Sequence, residues 1–192
     1  MTTQTTAPAA PIRTVRTRIA PVRTVRTGPF REVPAAAVWL GLAGLIPFYA
    51  GALGGWLLPA PYAAHALQYM LYYGVAILSF LGGVHWGLAL AGFGAPAVAD
   101  PEEDPPASMD WTRLGWSTVP VLIGWLALFL SGFAAQITFL LAGFVGMLYG
   151  DFRAALAGAA PLWYLKLRRP LTVLVAGALA IALARTAVTL GT

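Results

Sequence analysis

Cysteine is absent from the 192 residues, and histidine occurs only twice. Without a thiol there is no disulfide, thiolate metal site or cysteine nucleophile. Two histidines alone cannot supply the ligand spacing of a zinc site. Charge is also scarce: Asp, Glu, Lys and Arg make up 10% of the chain, against 59% hydrophobic residues and a mean hydropathy of +0.74. Soluble domains carry about 25% charged residues, so this composition is that of an integral membrane protein. The net charge of +5 does not indicate a nucleic-acid partner. The basic residues do not line a face; most lie in the N-terminal tail and in one loop, where they orient a chain against a membrane. Gly82-Gly83 is followed by His85 and lacks the preceding strand and the Lys of a phosphate-binding loop. No hydrolase or kinase motif is present, and the chain reads as non-enzymatic.

Residues 1–33 form an Arg, Thr and Pro rich tail in which the pentapeptide RTVRT occurs twice. Such a segment cannot bury a core and is expected to be disordered on the cytoplasmic side. Its prolines disfavour the amphipathic helix of a mitochondrial transit peptide. Residues 34–192 read as a transmembrane domain. Five stretches approach the roughly 20 apolar residues needed to cross a bilayer: 35–58, 66–91, 114–130, 134–150 and 171–190. Pro47 predicts a kink in the first. Residues 59–65 read as a turn, and residues 92–113 as an acidic cytoplasmic loop. That loop is a solvated face, because its DPEEDPP run lacks the ligand alternation of a calcium loop. Residues 151–170 read as the last loop. With the tail inside, eleven of the twelve basic residues fall on one side, which predicts an all-α bundle of five transmembrane helices, N-inside and C-outside. The twelfth, Arg185, is expected to extend toward the outer interface.

Small residues recur at fourth positions, as Ala37 and Gly41 and as Gly51 and Gly55 in the first span, as Ser79, Gly83, Gly87 and Ala91 in the second, as Gly146 and Gly150 in the fourth, and as Ala176, Ala180 and Ala184 in the fifth. Membrane helices approach closely along such stripes. Two uses are open: packing inside the bundle, or docking of another membrane protein. Trp39, Trp56, Trp111, Trp116, Trp163, Tyr62 and Tyr164 fall near span ends and read as interfacial anchors.

His85 lies inside an otherwise apolar run, about 7–9 Å below the inner end of its span by helical rise. An intramembrane ionisable group is a functional candidate, and its partner must be sought. Asp151, at the inner end of the fourth span, matches it in depth. Three roles are open to His85: a hydrogen bond to a neighbouring carbonyl or hydroxyl, a proton relay with Asp151, or ligation of a haem or pigment with Gly83 and Gly87 making room. Bis-histidine haem is excluded, because twenty residues of helix set His65 about 30 Å from His85. Asp151 and Arg153 beside Arg168 and Arg169 form a candidate site for an anionic lipid headgroup.

Three segments carry a family resemblance: ILSFLGGVHWG at 77–87, WSTVP at 116–120 with Trp125, and Asp151 followed by PLWYLKLRRPLT at 161–172. Together they resemble a domain-of-unknown-function family of small multi-pass inner-membrane proteins that includes mitochondrial transmembrane protein 69. The resemblance implies a five-helix protein of the bacterial inner membrane, or alternatively the mitochondrial one, and brings no activity and no cofactor. Its motif positions include Ser79, Gly82, Gly83, His85, Trp86, Gly87, Asp151, Tyr164, Arg168 and Thr172. The function expected is that of an accessory, assembly or structural subunit of a larger, energy-transducing membrane complex, with lipids and other membrane subunits as partners. The alternatives are a small transporter or proton pathway using His85 and Asp151, and a single-histidine pigment or haem binder.

Overall fold

The computed structural model describes residues 33–91 and 111–190, with side chains to residue 188. The Arg-rich tail and most of the acidic loop therefore lie outside the described residues. Six helices follow in order: α1 (Ala35–Ala43), α2 (Ile46–Leu57), α3 (Ala60–Leu90), α4 (Trp111–Ala127), α5 (Phe133–Leu156) and α6 (Leu162–Leu190). The chain is an all-helical polytopic bundle, and the described residues contain no strand. Helices α1 and α2 are the two halves of one broken span. That span together with α3, α5 and α6 is long and apolar enough to cross a membrane. Helix α4 is a fifth rod of 17 residues, about 25 Å long by helical rise. It falls a little short of a hydrocarbon core of about 30 Å.

Pro47 has a larger effect than the expected kink. It occupies the first turn of α2, where its missing N–H is harmless. Its ring would clash with the carbonyl four residues back, so α1 ends at Ala43. The Tyr73 hydroxyl donates to the Gly44 carbonyl at the break (3.1 Å).

Helix boundaries differ from the sequence reading where prolines and charges were taken as loop signals. Residues 59–65 are not a turn, because α3 begins at Ala60 with Pro61 in its first turn, a favoured place for proline. Helix α5 continues past Gly150 to Leu156, and α6 starts at Leu162 with Pro170 inside it. The expected twenty-residue loop over 151–170 shrinks to residues 157–161, which turn through Gly158 at φ +70°. The charged side chains that suggested a loop are carried on helix ends. Gly132, at φ +89°, makes the tight turn between α4 and α5. The Arg185 Nε donates to the Gly55 carbonyl (2.9 Å) and its guanidinium lies over the Trp56 ring, at the end of α2.

The core is a band of Phe48, Met70, Leu71, Leu78, Ile137, Leu140, Phe144 and Leu179 contributed by α2, α3, α5 and α6. Phe48 stands edge-on to both Tyr73 and Phe144, with ring centroids 5.2 and 5.9 Å away. Close approach is made at Gly41, Gly51 and Gly55 of the expected stripes, and on α3 by glycines outside the expected stripe. On α3 the inward face runs through Gly74, Leu78, Gly82, His85 and Ala89. A Cβ at Gly82 would collide with the backbone carbonyl of Ser117 on α4. Of the two uses open to the stripes, packing inside the bundle is not that of Gly83, Gly87 and Gly146, which have nothing within 4 Å of a Cβ position, and Ala91 is exposed. Gly150 does pack inside, against the Trp116 ring. The inward face of α3 is thus offset by about one residue, or 100°, from the stripe read in the sequence.

Two substitutions on adjacent residues test this assignment. Gly82→Val should cost about 1–3 kcal/mol through overpacking against fixed backbone. Gly83→Ala should be neutral or stabilise by about 0.4–1 kcal/mol. Thermal unfolding in detergent followed by circular dichroism distinguishes them, and equal losses would reject the stated face.

Candidate functional site

Helices α3, α5 and α6 meet through three polar side chains near the basic end of the bundle. Asp151 on α5 is completely buried, while His85 on α3 and Arg168 on α6 are 8% and 7% exposed. His85 Nε2–H donates to Asp151 Oδ1 at 2.7 Å, and Arg168 Nε–H donates to Asp151 Oδ2 at 2.7 Å. An ionised carboxylate only accepts, so both neighbours must present a proton to it. Each carboxylate oxygen is therefore committed to a different helix.

The placement follows from local sequence. His85 stands three residues after Gly82, on the same face of α3, so the close contact of Gly82 with α4 turns the imidazole inward. Gly150 lets the Trp116 ring of α4 lie against α5 immediately before Asp151. Arg168 follows Tyr164 by one helical turn on the inward side of α6.

The other motif residues divide by face. Ser79 hydrogen-bonds its own helix at the Val75 carbonyl (2.8 Å) and does not join the network. Gly83, Trp86 and Gly87 face outward, with Trp86 42% exposed. Tyr164 is not an interfacial anchor but is buried beside Arg168. The proposed headgroup cluster is not assembled as one patch either. Arg168 points inward to Asp151, Arg153 reaches the Tyr149 hydroxyl, and Arg169 lies over the Phe152 ring.

Two residues of the centre border cavities, His85 one at the basic end and Arg168 another on its far side. A cavity of about 410 Å³ at the basic end is lined by His85 together with Arg113, Trp116, Tyr149 and Arg153. Sequence reasoning missed Arg113 and Tyr149 here, since nothing in their spacing ties them to His85. The imidazole Nε2 is held by Asp151, so an axial haem or pigment bond from it requires breaking that contact. Among the described residues no group of three His, Asp or Glu side chains can hold a metal ion.

Removing one member of a buried ion pair leaves an uncompensated charge and costs about 3–5 kcal/mol. Arg168→Ala should therefore lower stability by about that amount. His85→Ala should cost less, because Asp151 keeps its arginine. A double-mutant cycle between Asp151→Asn and Arg168→Gln, read by thermal unfolding in detergent, should show coupling of at least about 1 kcal/mol. Additive effects would mean the contact is not energetically coupled.

The family described as "Protein of unknown function (DUF3429)" matches residues 33–184. The chain is 38% identical to Transmembrane protein 69 of Xenopus tropicalis over 144 residues, which is 74% of this chain and 51% of the relative. It is 34% identical to Transmembrane protein 69 of Mus musculus over 100 residues, 52% of this chain and 36% of that relative. The chain thus matches about half, or less, of the length of these curated relatives. No solved structure matches the chain.

Proposed function

The chain belongs to the DUF3429 family of proteins of unknown function, and from that premise we propose that this multi-pass membrane protein is a non-enzymatic accessory, assembly or structural subunit of a larger membrane complex. The observation that carries this reading is the open small-residue face of α3. Gly83 and Gly87 lie one turn apart with no atom within 4 Å of a Cβ position, so backbone is presented outward at the spacing by which membrane helices associate. The His85–Asp151–Arg168 centre fits such a role as an internal lock. Asp151 gives one carboxylate oxygen to His85 and the other to Arg168, and the centre fixes the helix whose opposite face is available. The clustering of basic residues supports an orientation with the N-terminus inside. A bacterial inner membrane suits that arrangement, with the mitochondrial inner membrane as the alternative.

A second reading, a proton pathway, draws on the cleft that borders His85. Beyond the His85–Asp151 pair, Leu78, Phe144 and Met147 form an apolar plug, so protons would need an opening of the core to go further.

Purification of the full chain from native membranes in mild detergent, with mass spectrometry of whatever remains bound in near-equal amount, tests the first reading. One larger complex should co-purify. The pair Gly83→Leu and Gly87→Leu should abolish co-purification while the protein stays folded. Recovery of the unaltered protein alone and monodisperse would refute the subunit role. Proton flux into liposomes that is lost in His85→Gln would instead support the second reading.

A further inference from the structure

A cavity of about 520 Å³ opens between α1, α3 and α6, within the roughly 300–1,000 Å³ range of small-molecule sites. Its walls are largely apolar, with Phe48 and Phe144 among them; the Tyr73 hydroxyl on α3 is already bonded to the Gly44 carbonyl, Trp163 adds an indole, and the unpaired polar groups lie along one stripe of α6. There Tyr164, Arg168 and Thr172 line it on successive turns, four residues apart. All three are more than nine-tenths buried. Each also carries a polar atom outside hydrogen-bonding distance of any partner: the Tyr164 hydroxyl, whose nearest acceptor is the Asp151 carboxylate, Arg168 Nη2 and Thr172 Oγ1. An unpaired buried polar group forfeits its bonds to water, and native proteins rarely leave one unexplained. Three on one helical stripe beside one cavity mark a place where a group from outside completes the bonding.

We propose that this cavity binds a quinone from the lipid phase, with a carbonyl oxygen at the Tyr164–Arg168–Thr172 stripe and the ring and tail along the apolar walls. Arg168 Nη2 only donates and both hydroxyls can donate, so the missing group is an acceptor oxygen. Asp151 already offsets the guanidinium through Nε. A carboxylate or phosphate would set a second anion against one cation in a water-poor site, whereas a neutral carbonyl meets the donors without that penalty. The remaining walls are largely apolar, so the extra ester and hydroxyl oxygens of a glyceride would be buried unpaired. A planar ring with carbonyl edges and a single aliphatic tail fits both demands. The three polar atoms are recessed, so contact requires a small rotation of Thr172 or Arg168 toward the ligand.

The full chain, purified from native membranes in mild detergent and extracted with organic solvent, should yield quinone in near-equimolar amount by mass spectrometry. A short-tailed benzoquinone titrated into delipidated protein should quench tryptophan fluorescence with saturation. Thr172→Val and Tyr164→Phe, each removing one hydroxyl at nearly constant volume, should weaken that binding about three- to tenfold. Ala37→Trp fills the cavity from α1 without touching the polar stripe and should abolish binding. Circular dichroism verifies that each variant is folded. Phospholipid alone in the extract, absence of saturable quenching, or unchanged affinity in folded Ala37→Trp or in both hydroxyl variants would overturn the proposal.

Discussion

One carboxylate ties the bundle together at its basic end. Lipid tails are as apolar as leucine, so burying hydrophobic side chains gives membrane helices little reason to prefer each other over lipid. Directional polar contacts and close backbone packing must supply the preference. Asp151 does so by dividing its two oxygens between His85 and Arg168, and so joins α5 to α3 on one side and to α6 on the other. A fully buried carboxylate could not persist in this environment alone. The positions of Gly82 and Gly150 beside the centre follow from the same need, because both let α4 close against the helices that carry it.

The rods were legible because unbroken apolar runs of bilayer length have few other uses. Their ends were less so, for a physical reason. Pro59 and Pro61 look like a turn until one notes that proline costs nothing in the first turn of a helix. Asp151, Lys166, Arg168 and Arg169 look like a loop because charge near a span end is ordinarily solvated. Here one acid and one base neutralise each other inside the protein, and α5 and α6 can run on through them.

Helix faces were the least legible feature. In a soluble protein a polar stripe shows which side of a helix is out, but on α3 both sides are apolar and both carry small residues. The stripe through Gly83 and Gly87 is as regular as the face through Gly74 and Gly82, and only the tertiary contacts distinguish them. Depth in the bilayer set His85 and Asp151 at one level. The motif grouped Arg168 with His85 and Asp151, but its spacing did not single it out as the second partner, since basic residues near span ends are explained first by topology. Tyr164 was misjudged for a similar reason, because aromatics at span ends usually sit at the interface.

The short connection between α5 and α6 bears on how the chain enters its membrane. Asp151 and Arg168 are only 17 residues apart, on either side of the turn at 157–161. Inserted one helix at a time, each charge would enter unpaired, against a penalty that reaches about 2.5–3.5 kcal/mol at a span centre and falls toward its ends. Delivered together as a hairpin, they enter already paired. Biogenesis is then best served by lateral release of the last two helices as one unit, and His85, waiting on the earlier helix α3, becomes the berth on which that unit docks.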